Sequence, residues 1–389
     1  MNQRRRRILV VPKWYPWPER PVFGIFCREH ARALATRHDV VVLASLATPR
    51  PGFAIFRLED AVEDGIRTLR VRYRRPFLRP AAMGCQLLGM LAAWRRLRRE
   101  GWRPDVVHAH VFEAAPPALA LGRLSRAPVV VTEHYTGFQR GLVTGYDRRL
   151  AKWSFEHADL VAPVSEELAG HLRDLAPRAR FAVVPNVVDT TTFAPPPESG
   201  RSRRGDAPAR LLNVADLAGK KGQSVLVRAL AELPEATLDI VGEGPEREPL
   251  ERLATELGVA DRVRLLGARS REEVAEAMRA ADIFVLPSFH ENLPVVLIEA
   301  QASGLPAVAT AVGGVPELVD DAAGLLTAPG DPAALAATIR AALDRRDSYD
   351  RVALARRAEQ RYGFTAVCAR WTDLYDSLGV GSGADGRAS

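Results

Sequence analysis

Cysteine is scarce in this chain: three in 389 residues, Cys27, Cys85 and Cys368, odd in number and widely spaced. That pattern excludes a disulfide framework, shows no metal-ligand spacing and fits a reducing cytoplasm. Long apolar runs are missing as well. The longest, AAMGCQLLGMLAAW at 81–94, falls short of the ~20 residues that a bilayer-spanning helix needs. The N-terminal MNQRRRRILVVPKWYP breaks its apolar run at Pro12 and Lys13, too early for a secretory core. Asp-x-Asp occurs nowhere in the chain.

What is present is ordinary core material, 47% hydrophobic and 26% charged residues. A chain of 389 residues exceeds what one core usually serves, so two domains are expected. The net charge of +7 is uneven. Residues 1–105 hold 22 Lys/Arg against 9 Asp/Glu, or +13, which leaves −6 for the rest. A basic first half points to an anionic partner: nucleic acid, a membrane surface or an anionic substrate. Segment 81–94, flanked by Arg79 and by Arg95, Arg96, Arg98 and Arg99, reads either as an apolar helix lying on a membrane or as a core helix with a basic end.

Short β-branched runs alternate with helical patterns throughout, the signature of βαβ units and parallel sheets. In the first half the strands read RILVVP, VVVLASL, IRTLRVRY, DVVHAH, PVVVTEH, DLVAPVS and FAVVPN; in the second, RLLNVADL, TLDIVGEG, RVRLLGA, DIFVLPS, PAVATAV and GLLTAP. The Pro-, Gly-, Ser- and Arg-rich stretch between them reads as a linker. The expected layout is therefore an N-terminal Rossmann-like domain at 1–193, a linker at 194–209, a second Rossmann-like domain at 210–362, a C-terminal helix at 363–378 and a disordered tail at 379–389.

The stretch FHENLPVVLIEAQASG poses a physical problem. Glu299 lies among Leu293, Val295, Val296, Leu297, Ile298, Ala300 and Ala302, a helix apolar all round, where an unpaired carboxylate costs several kcal/mol or takes up a proton. Pro294 suits the first helical position, and the amides of Val295, Val296 and Leu297 would then face a phosphate at the carboxyl edge of a parallel sheet. Glu291 would lie on the lip of that crevice. Two carboxylates beside a phosphate-suited helix start call for further ligand groups, and sugar hydroxyls are the natural ones.

The segment PSFHENLPVVLIEAQASGLPAVATAVGGVPELV resembles the signature of glycosyltransferase family 4, retaining nucleotide-sugar enzymes of the GT-B fold, whose motif is Glu, seven residues, Glu. Glu291 and Glu299 match it. The resemblance implies an α/β fold of two facing Rossmann-like domains with parallel sheets, the C-terminal helix crossing back to the N-terminal domain. It implies transfer of a sugar from a nucleotide-diphosphate sugar to a glycan or lipid-linked acceptor with retention. Glu299 would bind the ribose, Glu291 the transferred sugar, and the helix start around Leu293, Val295 and Val296 the diphosphate. Lys221, before Gly222 in NVADLAGKKG, would contact that diphosphate. Many members carry an Arg where Asp216 stands, so part of the cationic clamp is missing, and Lys220 is a point charge rather than a bidentate Arg.

Gly242 in LDIVGEG lies under the donor site by the same resemblance. The dinucleotide reading of this turn fails, since Arg247 occupies the place of the third glycine. Gly24, at a helix start after the first strand, would sit across from the diphosphate, and His134 near the sugar as a hydrogen-bonding group. A zinc site at His110 and His134 would want further ligands; Glu133 points to the other face of its strand and His108 lies deeper, so no metal is expected. The missing Asp-x-Asp removes the metal clamp of the other major glycosyltransferase fold. Asn186 and Asp189, in a Val-Pro-Asn segment with Val187 in place of the family's glycine, would form the domain junction. The expectation is a cytoplasmic enzyme, metal-independent and without cofactor, with no nucleic-acid partner, peripheral at the inner face of the membrane. The alternatives are a GT-B epimerase or phosphorylase, or a non-catalytic nucleotide-sugar-binding subunit.

Overall fold

The computed structural model describes residues 5–20, 22–48, 55–75, 79–196 and 208–380, with backbone only at 79 and 80. The chain forms two compact units, Met1–Pro185 with Phe364–Ser389, and Asn186–Gly363. Their division differs from the expected boundary at 193. Asn186 donates from its side chain to the carbonyl of Leu293 at 2.7 Å, and the Val188 amide donates to Tyr362 O at 2.9 Å, so the Val-Pro-Asn segment is hydrogen-bonded into the second unit. Most of the expected linker, 197–207, lies outside the described residues, as does 381–389 of the tail.

The first unit holds strands β1 (Arg7–Pro12), β2 (Asp39–Thr48), β3 (Phe56–Glu63), β4 (Ile66–Arg74), β5 (Val106–His110), β6 (Val129–Glu133) and β7 (Leu160–Pro163), in the order β3-β4-β2-β1-β5-β6-β7. All neighbours pair parallel except the β3–β4 hairpin, which turns at Asp64 and Gly65. Its helices are α1 (Ile25–Ala35), α2 (Arg79–Arg99), α3 (Ala115–Ser125), α4 (Gly145–His157) and α5 (Glu166–Leu175). Two differences from the sequence reading stand out. FRLEDAVE, mixed in polarity, forms edge strand β3 because its partner β4 supplies the pairing. FAVVPN, read as a strand, runs beside β7 as an irregular segment, with a bridge from Phe181 to Val161 and the amides of Ala182 and Val184 donating to Val161 O and Pro163 O, both at 3.1 Å.

The second unit carries β8 (Ala209–Val214), β9 (Ala236–Val241), β10 (Val263–Gly267), β11 (Ile283–Leu286), β12 (Ala307–Thr310) and β13 (Gly324–Thr327), all parallel in the order β10-β9-β8-β11-β12-β13. Helices α6 (Gln223–Ala231), α7 (Arg247–Glu256), α8 (Arg271–Ala280), α9 (Val295–Ala302), α10 (Pro332–Asp344) and α11 (Arg351–Tyr362) connect and cover them. The last helix, α12 (Phe364–Ser377), returns to the first unit, where it packs on α1.

Strands buried on both faces read as unbroken apolar runs. Ile8 to Val11 of β1 and Ile283 to Leu286 of β11 are fully buried. Strand β5 is different: all five residues are buried, yet two are histidines. Interior polar groups require hydrogen-bond partners, and His108 finds them in Thr132 Oγ1 (2.6 Å) and the Tyr375 hydroxyl of α12 (2.7 Å).

Candidate functional site

In the second unit the sheet's carboxyl edge gathers the predicted donor residues. Strand β11 ends at Leu286, and the chain turns through Ser288 and Glu291 before entering α9. Glu291 is 6% exposed, so it is enclosed rather than set on a lip. Lys221 Nζ donates to its Oε1 at 2.6 Å and Ser288 Oγ to the same oxygen at 2.7 Å. Lys221 comes from the short turn Gly219–Lys221, which the Phe289 amide ties to the Glu291 loop by donating to Lys220 O at 2.9 Å. Thr310, at the end of β12, braces the turn by donating to Ser288 O at 2.5 Å. Three strand ends thus fix one buried ion pair.

The helix start departs from the sequence expectation. Pro294 is the N-cap, with extended backbone, rather than the first helical residue, and Leu297's amide donates to Pro294 O at 3.1 Å. The first-turn donors are therefore the amides of Val295 and Val296. Glu299, fifth residue of α9, is satisfied by Arg271 of α8, whose Nη1 lies 3.5 Å from its Oε1 and whose guanidinium stacks on Phe193 at 5.1 Å. The opening problem is thus solved by an ion pair that leaves the carboxylate 9% exposed.

Gly242 has φ 145°, and a Cβ there would lie 1.9 Å from Ala215 O, the residue before Asp216. It allows two loops to touch beneath the Lys221 turn, which is a packing role. Asp216 itself is exposed and holds Gln223 through its backbone carbonyl at 3.0 Å. A cavity of about 250 Å³ lined by Asp321, Arg345, Tyr349 and Arg357 includes none of these residues.

In the first unit Gly24 caps α1 with φ 69°, and a Cβ there would meet the Trp14 carbonyl carbon at 2.3 Å. It lets the loop after β1 and the start of α1 lie backbone to backbone. His134 follows β6, is 9% exposed, and its Nε2 lies 3.0 Å from His110 Nδ1. The rings of His108, His110 and His134 form a stack, with centroids 4.6 and 5.3 Å apart, and His30 of α1 lies 5.3 and 5.4 Å from the last two. Burial pushes His108 down to about 3 and His110 well below the usual histidine value, so both are neutral. Glu133 accepts the amides of Phe112, His134 and Tyr135 at 2.8–2.9 Å; burial nonetheless raises its carboxyl to about 7, these bonds only opposing the shift.

The structure thus brings Glu291 and Lys221 together and sets both beside the α9 start, with Glu299 deeper in that helix. His134 and Gly24 belong to the other unit. Sequence reasoning passed over Ser288, Arg271, Thr310, Cys27 and His30. Ser288 stood within the quoted PSFHEN; the others carry no local signal, since strand order and helix packing bring them in.

Two families match the chain: Glycosyltransferase Family 4 over residues 24–192 and Glycosyl transferases group 1 over residues 198–361. Glycogen synthase of Mycobacterium tuberculosis is 32% identical over 361 residues, covering 87% of this chain and 86% of that protein. D-inositol 3-phosphate glycosyltransferase of Xylanimonas cellulosilytica is 33% identical over 387 residues, covering 90% of each. Among solved structures, Anabaena Alr3699/HepE in complex with UDP aligns with a TM-score of 0.74 at 21% identity, over 96% of this chain and 100% of that one. Sucrose-phosphate synthase from Thermosynechococcus elongatus aligns at 0.73 and 22% identity, over 96% and 99%. At this identity the structures show the fold, two Rossmann-like units of the GT-B type. Profile and relatives together place the chain in glycosyltransferase family 4, as a glycosyltransferase.

Proposed function

We propose that this glycosyltransferase takes a nucleoside diphosphate sugar on its second unit, and transfers the sugar with retention to a glycan or lipid-linked acceptor served by the first unit. The observation that carries the reading is the buried Lys221–Glu291–Ser288 array beside the start of α9. A diphosphate arriving at Lys221 and the amides of Val295 and Val296 competes for the ammonium, and Glu291 is released toward the sugar hydroxyls. Glu299 takes the ribose hydroxyls, and His134 hydrogen-bonds the sugar.

In the reaction the bond from the anomeric carbon to the diphosphate oxygen breaks, and a bond to the acceptor oxygen forms on the same face. The acceptor's proton passes to the departing phosphate. Lys221 and the helix amides stabilise the charge that develops on that phosphate, which is electrostatic catalysis without a protein nucleophile. No divalent cation is needed for this step. The relatives named as synthases and glycosyltransferases, and the neighbour solved with UDP, support a nucleotide-sugar donor.

The acceptor reading rests on the basic first unit. Helix α2 buries Met90, Ala93, Trp94 and Leu97 while Leu88 stays 48% exposed, so segment 81–94 is core on one face and open on the other. Part of the arginine charge is paired: Arg67 and Arg96 with both Asp60 and Glu100, and Arg70 with Glu63. Among the described residues no helix is long and apolar enough to cross a membrane. Each Lys/Arg near an anionic leaflet contributes ~1 kcal/mol, fading within a Debye length of ~8 Å at physiological salt.

A panel of nucleotide sugars, scored for released nucleoside diphosphate and for a new glycoside, tests the function. Both products from one donor are expected. Binding without turnover of any donor would instead indicate a nucleotide-sugar-binding subunit. Flotation with vesicles tests the surface: recovery with anionic and not neutral vesicles, lost at high salt, is expected, and absence from both leaves a basic cleft for a water-borne anionic acceptor.

A further inference from the structure

We propose that Cys27, His110 and His134 of the first unit form a site for a thiophilic divalent transition metal such as Zn²⁺. One ligand atom from each of Cys27, His110 and His134 lies within 4.8 Å of the others, and all three residues are buried. His30 is one helical turn beyond Cys27 on α1, with its ring next to both His110 and His134. The sequence reading dismissed a metal because it sought the missing ligands along β5 and β6. Cys27 comes instead from α1, which the fold lays against the ends of those strands.

A second observation points to a ligand. His110 Nε2 is fully buried and meets no hydrogen-bond partner, while its Nδ1 lies against His134 Nε2. An orphaned buried nitrogen of this kind has lost water without gaining a partner, a cost that a bound ligand would relieve. The donor set decides the ion. Thiolate and imidazole suit Zn²⁺, Co²⁺ and neighbouring metals, whereas Ca²⁺ and Mg²⁺ want oxygen ligands that this shell lacks.

Glu133 accepts the amide of His134 at 2.9 Å and that of Phe112 at 2.9 Å, so the backbone that carries His134 is held by a carboxylate lying close to Cys27. Zn–S and Zn–N bonds of about 2.3 and 2.0 Å require the donors to close in by a side-chain rotation. Binding forms a metal–sulfur bond, and the thiol proton leaves to solvent: Cys27–SH plus M²⁺ gives Cys27–S–M⁺ plus H⁺.

The test is titration of the full-length, chelator-stripped protein with Co²⁺. Expected is a near-ultraviolet thiolate-to-cobalt band with visible bands of tetrahedral strength, saturating at one equivalent and displaced by Zn²⁺. Cys27→Ser should lose the near-ultraviolet band and bind about tenfold or more weakly, while Cys85→Ser keeps both. If Cys27→Ser fails to fold, Cys27→Ala serves in its place. A wild-type titration with no saturable band overturns the site without any variant, and so does an unchanged band in either Cys27 variant.

Discussion

At the carboxyl edge of the second sheet two buried carboxylates are held in ion pairs, Glu291 with Lys221 and Glu299 with Arg271. At the same edge of the first sheet stand imidazoles, His110 and His134 with His30 beside them, and burial holds His110 neutral. An ion pair at a site edge is exchangeable: a ligand's phosphate or hydroxyls take over from the partner side chain, so the charges are kept ready without standing unpaired in the interior. A stack of neutral rings has no charge to exchange. It positions, hydrogen-bonds or ligates, and acid disrupts it.

The largest effect should come from Glu291→Ala. Turnover is expected to fall about a hundredfold or more, the size seen when one preorganised group at a developing charge is removed, while nucleoside diphosphate affinity stays within a few-fold. Equal losses in both would merge the roles assigned to Lys221 and Glu291. Next is Glu299→Gln, which replaces the carboxylate proposed to accept the ribose hydroxyls and removes the charge paired with Arg271. Nucleotide binding should weaken by ~1.5–3 kcal/mol in a folded protein, read by calorimetry; unchanged affinity would make Glu299 a purely structural partner of Arg271.

At the opposite, amino edge of the first sheet, where His38 precedes β2, the expected effect is on stability. Burial depresses His38 to about 4, and its Nε2 meets Thr372 Oγ1 of α12 at 2.9 Å. The unfolded chain takes up a proton near 6.5 that the folded one refuses until about 4, so this contribution is full above pH 6.5 and is lost as pH falls to 4. Denaturant midpoints should drop over that window, and less so in His38→Gln; a drop of the same size in the variant would assign the acid sensitivity elsewhere. The smallest effect is a null one. Adding Mg²⁺ or Mn²⁺ to chelator-treated protein should change the transfer rate less than about twofold if, as proposed, Lys221 and the helix amides stand in for a cation at the diphosphate. Restoration by either ion would contradict this, and a rescue by Zn²⁺ alone would point to the first unit instead.

The second unit was legible in the sequence almost strand by strand, because its six parallel strands are short β-branched runs bounded by turn residues and its site is one contiguous stretch with Lys221. The first unit was less so. Strand β3 lies at a sheet edge with mixed polarity, and FAVVPN pairs with β7 only irregularly. The expected boundary at 193 followed a Pro-, Gly-, Ser- and Arg-rich composition, whereas the hydrogen bonds of Asn186 and Val188 tie their segment into the second unit. The ring cluster joins residues more than a hundred positions apart, His30 to His134, and no spacing rule reads that.

The division of labour between Lys221 and Glu291 is tested most directly by titrating UDP, ADP and GDP into the wild type, Lys221→Ala, Glu291→Ala and the double variant. Losing Glu291 should leave affinity for the bound diphosphate equal or higher, since Lys221 Nζ is freed from its 2.6 Å contact, whereas Lys221→Ala should weaken it about tenfold or more, as loss of a charge-assisted bond requires. A Glu291→Ala protein that loses the diphosphate as severely as Lys221→Ala would contradict that division.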